Sequence, residues 1–267
     1  MTAPLLLAVD VGNSHTSCGL FTQERLQGHF RLRSEPRQTA DELAAACQSQ
    51  LALRGHTLAA LDGFVLASVV PVLEHQWRAC AAAHCSALRD APLVVQHQLD
   101  CGLTLAIEQP ETLGMDRLVN AAMAWQRCHT ACIAVDVGTA LTCDCVNAAG
   151  VFVGGVILPG PALALEALAN GTARLPRVDL AAPVVSAMGK NTHESIRAGM
   201  LIGWGGMVDR LIERLSPELA PDGAAVRVLA TGGMAVLLAP HSKRLDDIDP
   251  WLTLSGLAWL HQRHCRP

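Results

Sequence analysis

Two aspartates of this chain sit in the same five-residue setting. Asp10 lies in Ala8-Val-Asp-Val-Gly12 and Asp136 in Ala134-Val-Asp-Val-Gly138, about half a chain apart. A short, almost uninterrupted apolar run precedes each, the pattern of a buried strand. Small polar residues follow: Asn13, Ser14, His15 and Thr16 after the first, Thr139 after the second. A carboxylate where a dry strand ends needs a cation or a donor. Gly12 and Gly138 let the backbone turn and let a ligand approach it closely. The amide, hydroxyl and backbone N–H groups of such turns can hold phosphate. A single Asp beside Gly is ordinary turn chemistry. Two copies point to an internal duplication, each half giving one phosphate loop and one carboxylate to a shared cleft.

Phosphoryl transfer also needs a group that positions or deprotonates the acceptor. Asp116, in Gly114-Met115-Asp116-Arg117 at the mouth of an expected helix, is the candidate. Its spacing fits two roles equally: a base projecting into the cleft, or an N-terminal helix feature. Other chemistries lack their motifs. There is no Gly-x-x-x-x-Gly-Lys-[Ser/Thr] loop, and residues 160–171 hold no Gly-x-Ser-x-Gly elbow. The eleven histidines are scattered without metal-binding spacing, and the ten cysteines form no Cys-x-x-Cys pair.

The elements that must position these groups follow from periodicity and punctuation. Strand, tight turn and returning strand are expected around each Asp-Val-Gly, the first pair followed by a third strand over 25–33. A helix over 39–51 opens with Thr39-Ala-Asp-Glu42, a capping pattern. Strand 61–70, helix 72–84, strand 93–95 and helix 118–128 complete the first half, the order of a ribonuclease-H-like domain. The second half begins again with strands 131–136, 140–146 and 151–157 and a helix through 168. An irregular stretch over 174–186, a long helix over 191–215, a strand over 226–230 and a closing helix over 251–261 follow. The domains are read as 1–129 and 130–267. Gly199, Gly203 and Gly206 form a stripe on the long helix, at roughly 1 kcal/mol each against Ala. The stripe fits close internal packing or a subunit contact.

Composition bounds the function. The 267 residues are 51% apolar, enough for one large or two smaller cores. A net charge of −4 and a pI near 6.2 give no footprint for nucleic acid, and 3% aromatics without a Tyr supply no base-stacking platform. No stretch has the length of a membrane span, and the first apolar run lacks a basic lead and breaks at Asp10. A cytoplasmic protein with reduced, core-filling thiols is expected.

Taken together, Asp10-Val11-Gly12-Asn13-Ser14, Gly114-Met-Asp-Arg117, Asp136-Val-Gly-Thr-Ala140 with Thr142 and Asp144, Gly154-Gly-Val-Ile-Leu-Pro-Gly160 and Gly189-Lys-Asn-Thr192 resemble the type III pantothenate kinase family, the family of the Bvg accessory factor. That family belongs to the acetate-kinase, sugar-kinase, heat-shock-protein and actin superfamily. The resemblance implies two ribonuclease-H-like domains with a nucleotide cleft between them, and ATP-dependent phosphorylation of pantothenate. It implies ATP contacts from Asp10 through Thr16 and from Thr139, Mg²⁺ held with help from Asp10, and a monovalent cation, K⁺ or NH₄⁺, at Asp136. Gly114, Met115, Asp116 and Arg117 are then the pantothenate contacts, with Asp116 the proton acceptor and Arg117 on the substrate's carboxylate side. Thr192 is implied to reach pantothenate across a homodimer.

Three departures qualify the resemblance. Ser14 stands where the family usually has Thr, Met115 where it has Ala, and Ile107 where many members place a substrate-contacting Tyr. A hydroxyl is kept at 14, and an apolar contact but no hydrogen bond is possible at 107. Two other readings stand beside the kinase: another small-molecule kinase or phosphatase of the superfamily, and a nucleotide-sensing regulator. Asp10, Asp116, Arg117 and Asp136 together favour catalysis, because a regulator needs no proton acceptor.

Overall fold

The computed structural model describes residues 4–265. The chain opens with strands β1 (Leu5–Val11), β2 (His15–Thr22) and β3 (Arg25–Arg33), helix α1 (Ala40–Ala52), strand β4 (Gly63–Ser68), helix α2 (Pro71–His84) and short strands β5 (Leu93–Val94) and β6 (Thr104–Leu105). Helix α3 (Met115–Cys128) precedes β7 (Cys132–Val137), β8 (Ala140–Val146), β9 (Val151–Pro159) and α4 (Pro161–Asn170). The long helix α5 (Thr192–Leu219), β10 (Arg227–Thr231), α6 (Ala235–Leu238), β11 (Asp247–Ile248) and α7 (Leu252–His264) complete it. The chain divides into two compact units, residues 1–101, 109–123 and 253–267 in one, and 102–108 and 124–252 in the other.

The first unit is built on a five-stranded sheet in the order β3-β2-β1-β4-β5. β2 runs antiparallel to both β1 and β3, whereas β1, β4 and β5 are parallel. Leu5 to Val9 are all buried, as their unbroken apolar run requires of a central strand covered on both faces. α1 and α2 supply one cover. Thr39 accepts the Glu42 N–H while the Glu42 carboxylate accepts the Thr39 N–H at 2.8 Å, the reciprocal capping box that starts α1. Phe64 and Trp77 meet in this core with ring centroids 6.3 Å apart, together with Cys18, Cys47, Cys80 and Cys85.

The second unit repeats the topology. Its sheet runs β11-β10-β7-β8-β9-β6, with β8 antiparallel to β7 and β9 and with β7 and β10 parallel. Without the added edge strand β6, each sheet is a ribonuclease-H-like sheet with the same 3-2-1-4-5 connection. Ile133, Val135 and Val137 of β7 pack with Val208 and Ile212 of α5. None of the ten cysteines is in a disulfide, and all but Cys128 and Cys265 are buried. Burial pushes the thiol of Cys85 up to about 11 and that of Cys80 up to about 12, so both stay protonated and unreactive, as expected of core-filling residues.

The structure differs from the sequence reading in several element bounds and adds the short strands β6 and β11. α3 starts at Met115, not at 118, which brings Asp116 into its first turn. Pro71 opens α2 at a position where its missing N–H costs nothing. α5 extends to Leu219 with Pro217 in its last turn. The first unit also takes in a segment that begins at Thr253. Its physical reason is Gly256 of α7: a Cβ there would meet Val119 Cγ1 of α3 at 2.7 Å, a backbone approach that ties the chain's last helix to the first unit.

Trp77 offers a test of the first core. It is fully buried, and its indole N–H has no hydrogen-bond partner among the described residues. Trp77→Ala should lower the unfolding free energy by about 3–5 kcal/mol. Trp77→Phe should cost much less, because it removes an unpaired donor that itself costs about 1–3 kcal/mol. Urea unfolding of both variants checks the ordering.

Candidate active site

In the first unit β1 carries Asp10 to the edge of the buried layer. Asp10 pairs with Ser17 of β2 on one side and Ala67 of β4 on the other, and is partly exposed between the buried Val9 and Val11. The turn that follows is closed by the Gly12 N–H donating to His15 O at 3.1 Å. Asn13, Ser14 and His15 are exposed along it. Thr16 is placed differently: it is buried, and its hydroxyl lies 3.0 Å from that of buried Ser34. The Ser34 N–H donates to Ser14 O, so the end of β3 braces the turn from below. Val11 is buried and its carbonyl accepts the Val69 N–H.

The same unit holds Gly114 to Arg117. Met115, the first residue of α3, turns inward and is buried. The Asp116 carboxylate accepts the Arg117 N–H at 2.8 Å. It occupies space that a side chain at 114 would need, since a Cβ on Gly114 would lie 2.5 Å from Asp116 Oδ1. Burial raises the Asp116 carboxyl above the ordinary 3.8, opposed by the Arg117 N–H and by the Arg117 charge. Both sequence-level roles thus have a physical correlate. The N–H contact is that of a helix first turn, and the desolvation is that of a base made more basic. One turn on, Asn120 is buried and accepts from the Thr253 hydroxyl at 2.7 Å. It was not among the sequence candidates; its spacing from Asp116, a single helical turn, was the available signal.

In the second unit β7 presents Asp136 at the corresponding position. Its strand partners are Thr142 of β8 and Thr231 of β10. The turn is closed by the Gly138 N–H donating to Ala140 O at 2.9 Å, with Thr139 exposed at its tip. Two further glycines press on this turn. The Gly160 N–H donates to Thr139 O, and a Cβ on Gly160 would overlap Gly138 O and sit 2.7 Å from Thr139 O. Gly232, at φ +92°, would place a Cβ against Asp136 Oδ1 and 2.7 Å from the Val137 nitrogen. Below the turn, the Thr142 hydroxyl donates to the fully buried Asp144 at 3.0 Å. Gly160 stands in the Gly154–Gly160 motif, but its distance in sequence from Asp136 hides what it touches.

Among the described residues no group of three or more His, Cys, Asp and Glu side chains is placed to hold a metal ion. The residues present nevertheless fit the two cations that the resemblance implies. Mg²⁺ is commonly held by one or two carboxylates together with substrate phosphates, a set that Asp10 can join. Asp136 stands against backbone, in a cradle that a side chain at 232 would fill. No helix among the described residues is long and apolar enough to cross a membrane.

Thr192 is exposed at the start of α5, where the Asn191 side chain accepts the Glu194 N–H. It borders a cavity of about 560 Å³ lined also by Leu168, Leu175, Lys190 and Met200 of this unit. Ile107 follows β6, half-buried. Gly199, Gly203 and Gly206 are exposed, and a Cβ on any of them would meet nothing within 4 Å. The stripe is therefore not used for packing within the chain. That role belongs to Gly205, whose Cβ would strike the His241 backbone.

Residues 6–214 match the family model of type III pantothenate kinase. The chain is 40% identical to the type III pantothenate kinase of Desulfotalea psychrophila over 95% of its own length and 96% of the relative's. It is 40% identical to that of Rubrobacter xylanophilus over 96% and 97%. Among solved structures it resembles a protein of Campylobacter jejuni assigned to the Baf family of transcriptional activators, with TM-score 0.56, 18% identity and 96% and 98% coverage. It also resembles a protein of Porphyromonas gingivalis assigned as an N-acetylglucosamine kinase, with TM-score 0.51, 15% identity and 97% and 99% coverage. At these identities the structural matches show a shared fold.

The crowding around Asp136 can be tested against a built-in control. Gly154 also has positive φ, +128°, but open space where a Cβ would go. Gly154→Ala should cost only the backbone strain, about 1–3 kcal/mol. Gly232→Ala adds a collision with Asp136 and the Val137 backbone, so its melting temperature should fall further. Paired thermal denaturation of the two variants decides this.

Proposed function

The chain belongs to the type III pantothenate kinase family, and on that premise we propose that it transfers the γ-phosphoryl group of ATP to the hydroxyl of pantothenate, giving 4′-phosphopantothenate, the first step of coenzyme A synthesis. The observation that carries the site assignment is the Asp116 carboxylate, half-buried in the first turn of α3, where loss of water raises its carboxyl above the ordinary 3.8. We assign it to accept the hydroxyl proton as the O–P bond forms and the bond from γ-phosphorus to the leaving oxygen of ADP breaks. Arg117 would hold the substrate's carboxylate side, with Gly114 leaving room beside Asp116. Asn13, Ser14 and His15 expose donors at the first turn, and with the backbone of Val11 and Gly12 they form the phosphate loop. Thr16 supports this loop through Ser34. Thr139 supplies a further contact to ATP from the second turn.

Asp10 would hold Mg²⁺, which supplies charge neutralisation along the polyphosphate when bound. Asp136 would hold K⁺ or NH₄⁺. We place the reaction in the cytoplasm, where reduced thiols such as these persist. The open glycine stripe, flanked by exposed Ile202 and Met207, supports a homodimer in which Thr192 serves the partner's pantothenate.

The activity is tested by incubating purified protein with Mg-ATP, K⁺ and pantothenate and seeking the phosphorylated product by mass. Asp116→Asn should lower turnover by roughly 10²–10⁴-fold. The wild-type kcat/KM should lose activity on acidification through a pKa above 3.8, a limb the variant lacks. The sign for stability is opposite. A carboxyl whose folded pKa is raised binds more protons folded than unfolded, so its contribution is largest below 3.8 and falls as pH rises toward the folded value. At neutral pH Asp116→Asn should therefore melt no lower than wild type. An Asn variant that is both active and less stable would make Asp116 a helix cap.

The dimer has its own test. Leu at 203 meets nothing in its own chain and suits a helix better than Gly. Gly203→Leu should leave the protomer folded, yet yield monomers or aggregates in light scattering with activity reduced accordingly. A fully active Gly203→Leu monomer would confine each site to one chain.

A further inference from the structure

α3 presents Asp116 and Arg117, and what fixes α3 within its unit is the last helix of the chain. Thr253, in the first turn of α7, donates its hydroxyl to Asn120 Oδ1 at 2.7 Å. Asn120 is 1% exposed, so this side chain has left water almost completely. Three residues after Thr253, on the same side of α7, Gly256 brings the helix backbone onto α3. A Cβ there would lie 2.7 Å from Val119 Cγ1 and 3.1 Å from both Val119 O and Met123 Cβ. The crossing thus combines one hydrogen bond to a buried amide with a glycine approach, and Val119, Asn120 and Met123 are its footprint on α3.

We propose that the Asn120–Thr253 bond is a positioning device for the kinase reaction: it sets the rotation and depth of the first turn of α3, and so where the Asp116 carboxylate stands. Asn120 follows Asp116 by four residues, which in an α-helix places both on one face and ties the Asn120 N–H to the Asp116 carbonyl. A rotation of α3 about its axis would move Asp116 and Asn120 together. Apolar contacts resist separation of two helices but permit sliding; a directional bond to a buried polar group does not. Loss of the Thr253 hydroxyl leaves Asn120 Oδ1 without this donor in a dry place, so the helix must shift or admit water. Either response hydrates the first turn. Arg117 is the charged group whose field acts on Asp116, and it travels on the same turn.

The inference rests on the kinase reading for its effect on rate, but its structural core can be read without turnover. Thr253→Val keeps the shape of the side chain and removes the donor. By ¹³C NMR, the Asp116 carboxyl of this variant should titrate closer to 3.8 than in wild type, because hydration relieves the burial that raises it. Its kcat should fall roughly 10–10²-fold, the scale of a small misplacement of a reacting group, while KM for ATP stays within about twofold. Thr253→Ser, which restores the hydroxyl, should recover both the titration and the rate. If Thr253→Val fails to fold, Gly256→Ala takes its place: it keeps the hydroxyl and wedges the same crossing, and it should shift Asp116 in the same direction. An Asp116 titration and kcat equal to wild type in a folded Thr253→Val protein, even one that melts lower, would overturn the proposal and leave the bond a fold contact. A wild-type protein that forms no phosphopantothenate would defeat the kinase reading, and the NMR titration would still decide the positioning.

Discussion

Each sheet of this protein must solve one problem: a carboxylate stands at the end of a strand whose other residues are dry. β1 and β7 are central strands, and in each the aspartate sits between two buried valines. Sealing a carboxylate in that setting without partners costs far more than the apolar neighbours contribute. The strand order avoids the burial. With β2 and β4 beside β1, and β8 and β10 beside β7, each aspartate falls at the carboxyl end of a parallel pair, where open α/β sheets bind ligands. The glycine after it then turns the chain before another apolar residue can close over the carboxylate.

The two solutions share topology and differ in support. Around Asp10 the bracing is by side-chain hydroxyls, Thr16 with Ser34, and the turn itself lies open. Around Asp136 it is by backbone: Gly160 and Gly232 occupy positions where any Cβ would collide with the turn or the carboxylate. The first turn thus leaves its donors open, whereas the second holds its carboxylate against packed backbone. The shared fold does not choose the acceptor, since relatives of this architecture are assigned to quite different roles. On the proposed reading, discrimination would rest on Gly114 to Arg117, a segment outside the duplicated motif.

This division explains what could be read in the chain before its structure. The duplicated strand-turn-strand is a local pattern of apolar run, Asp and Gly, so both hairpins and the repeated sheet were legible. So was the α1 capping box, whose partners are three residues apart. The start of α3 was not, because Gly114, Met115 and Asp116 look like loop residues until Met115 is seen buried. The glycine stripe of α5 was ambiguous for a related reason: glycine marks close approach without saying to what. Gly205, not on the stripe, turned out to be the packed one. The return of α7 to the first unit had no sequence signal, because its evidence is the fit of Gly256 to Val119.

Asp116 shows why such a site needs a firm scaffold. Its surroundings pull in opposite directions: burial favours the neutral acid, and the Arg117 N–H and charge favour the carboxylate. Stronger donors would lower its proton affinity and make it a poorer base, and deeper burial would leave it protonated at working pH. The useful condition for a base would be intermediate between the two. It also opposes folding at neutral pH, so the turn that carries it would relax toward solvent if left to its own preferences. What holds it is tertiary: Met115 anchored below, Gly114 clearing space for the carboxylate, and the α3–α7 crossing fixing the helix axis. On the proposed reading, the chain's last helix would serve the chemistry without supplying a reacting group, by holding the turn that carries Asp116.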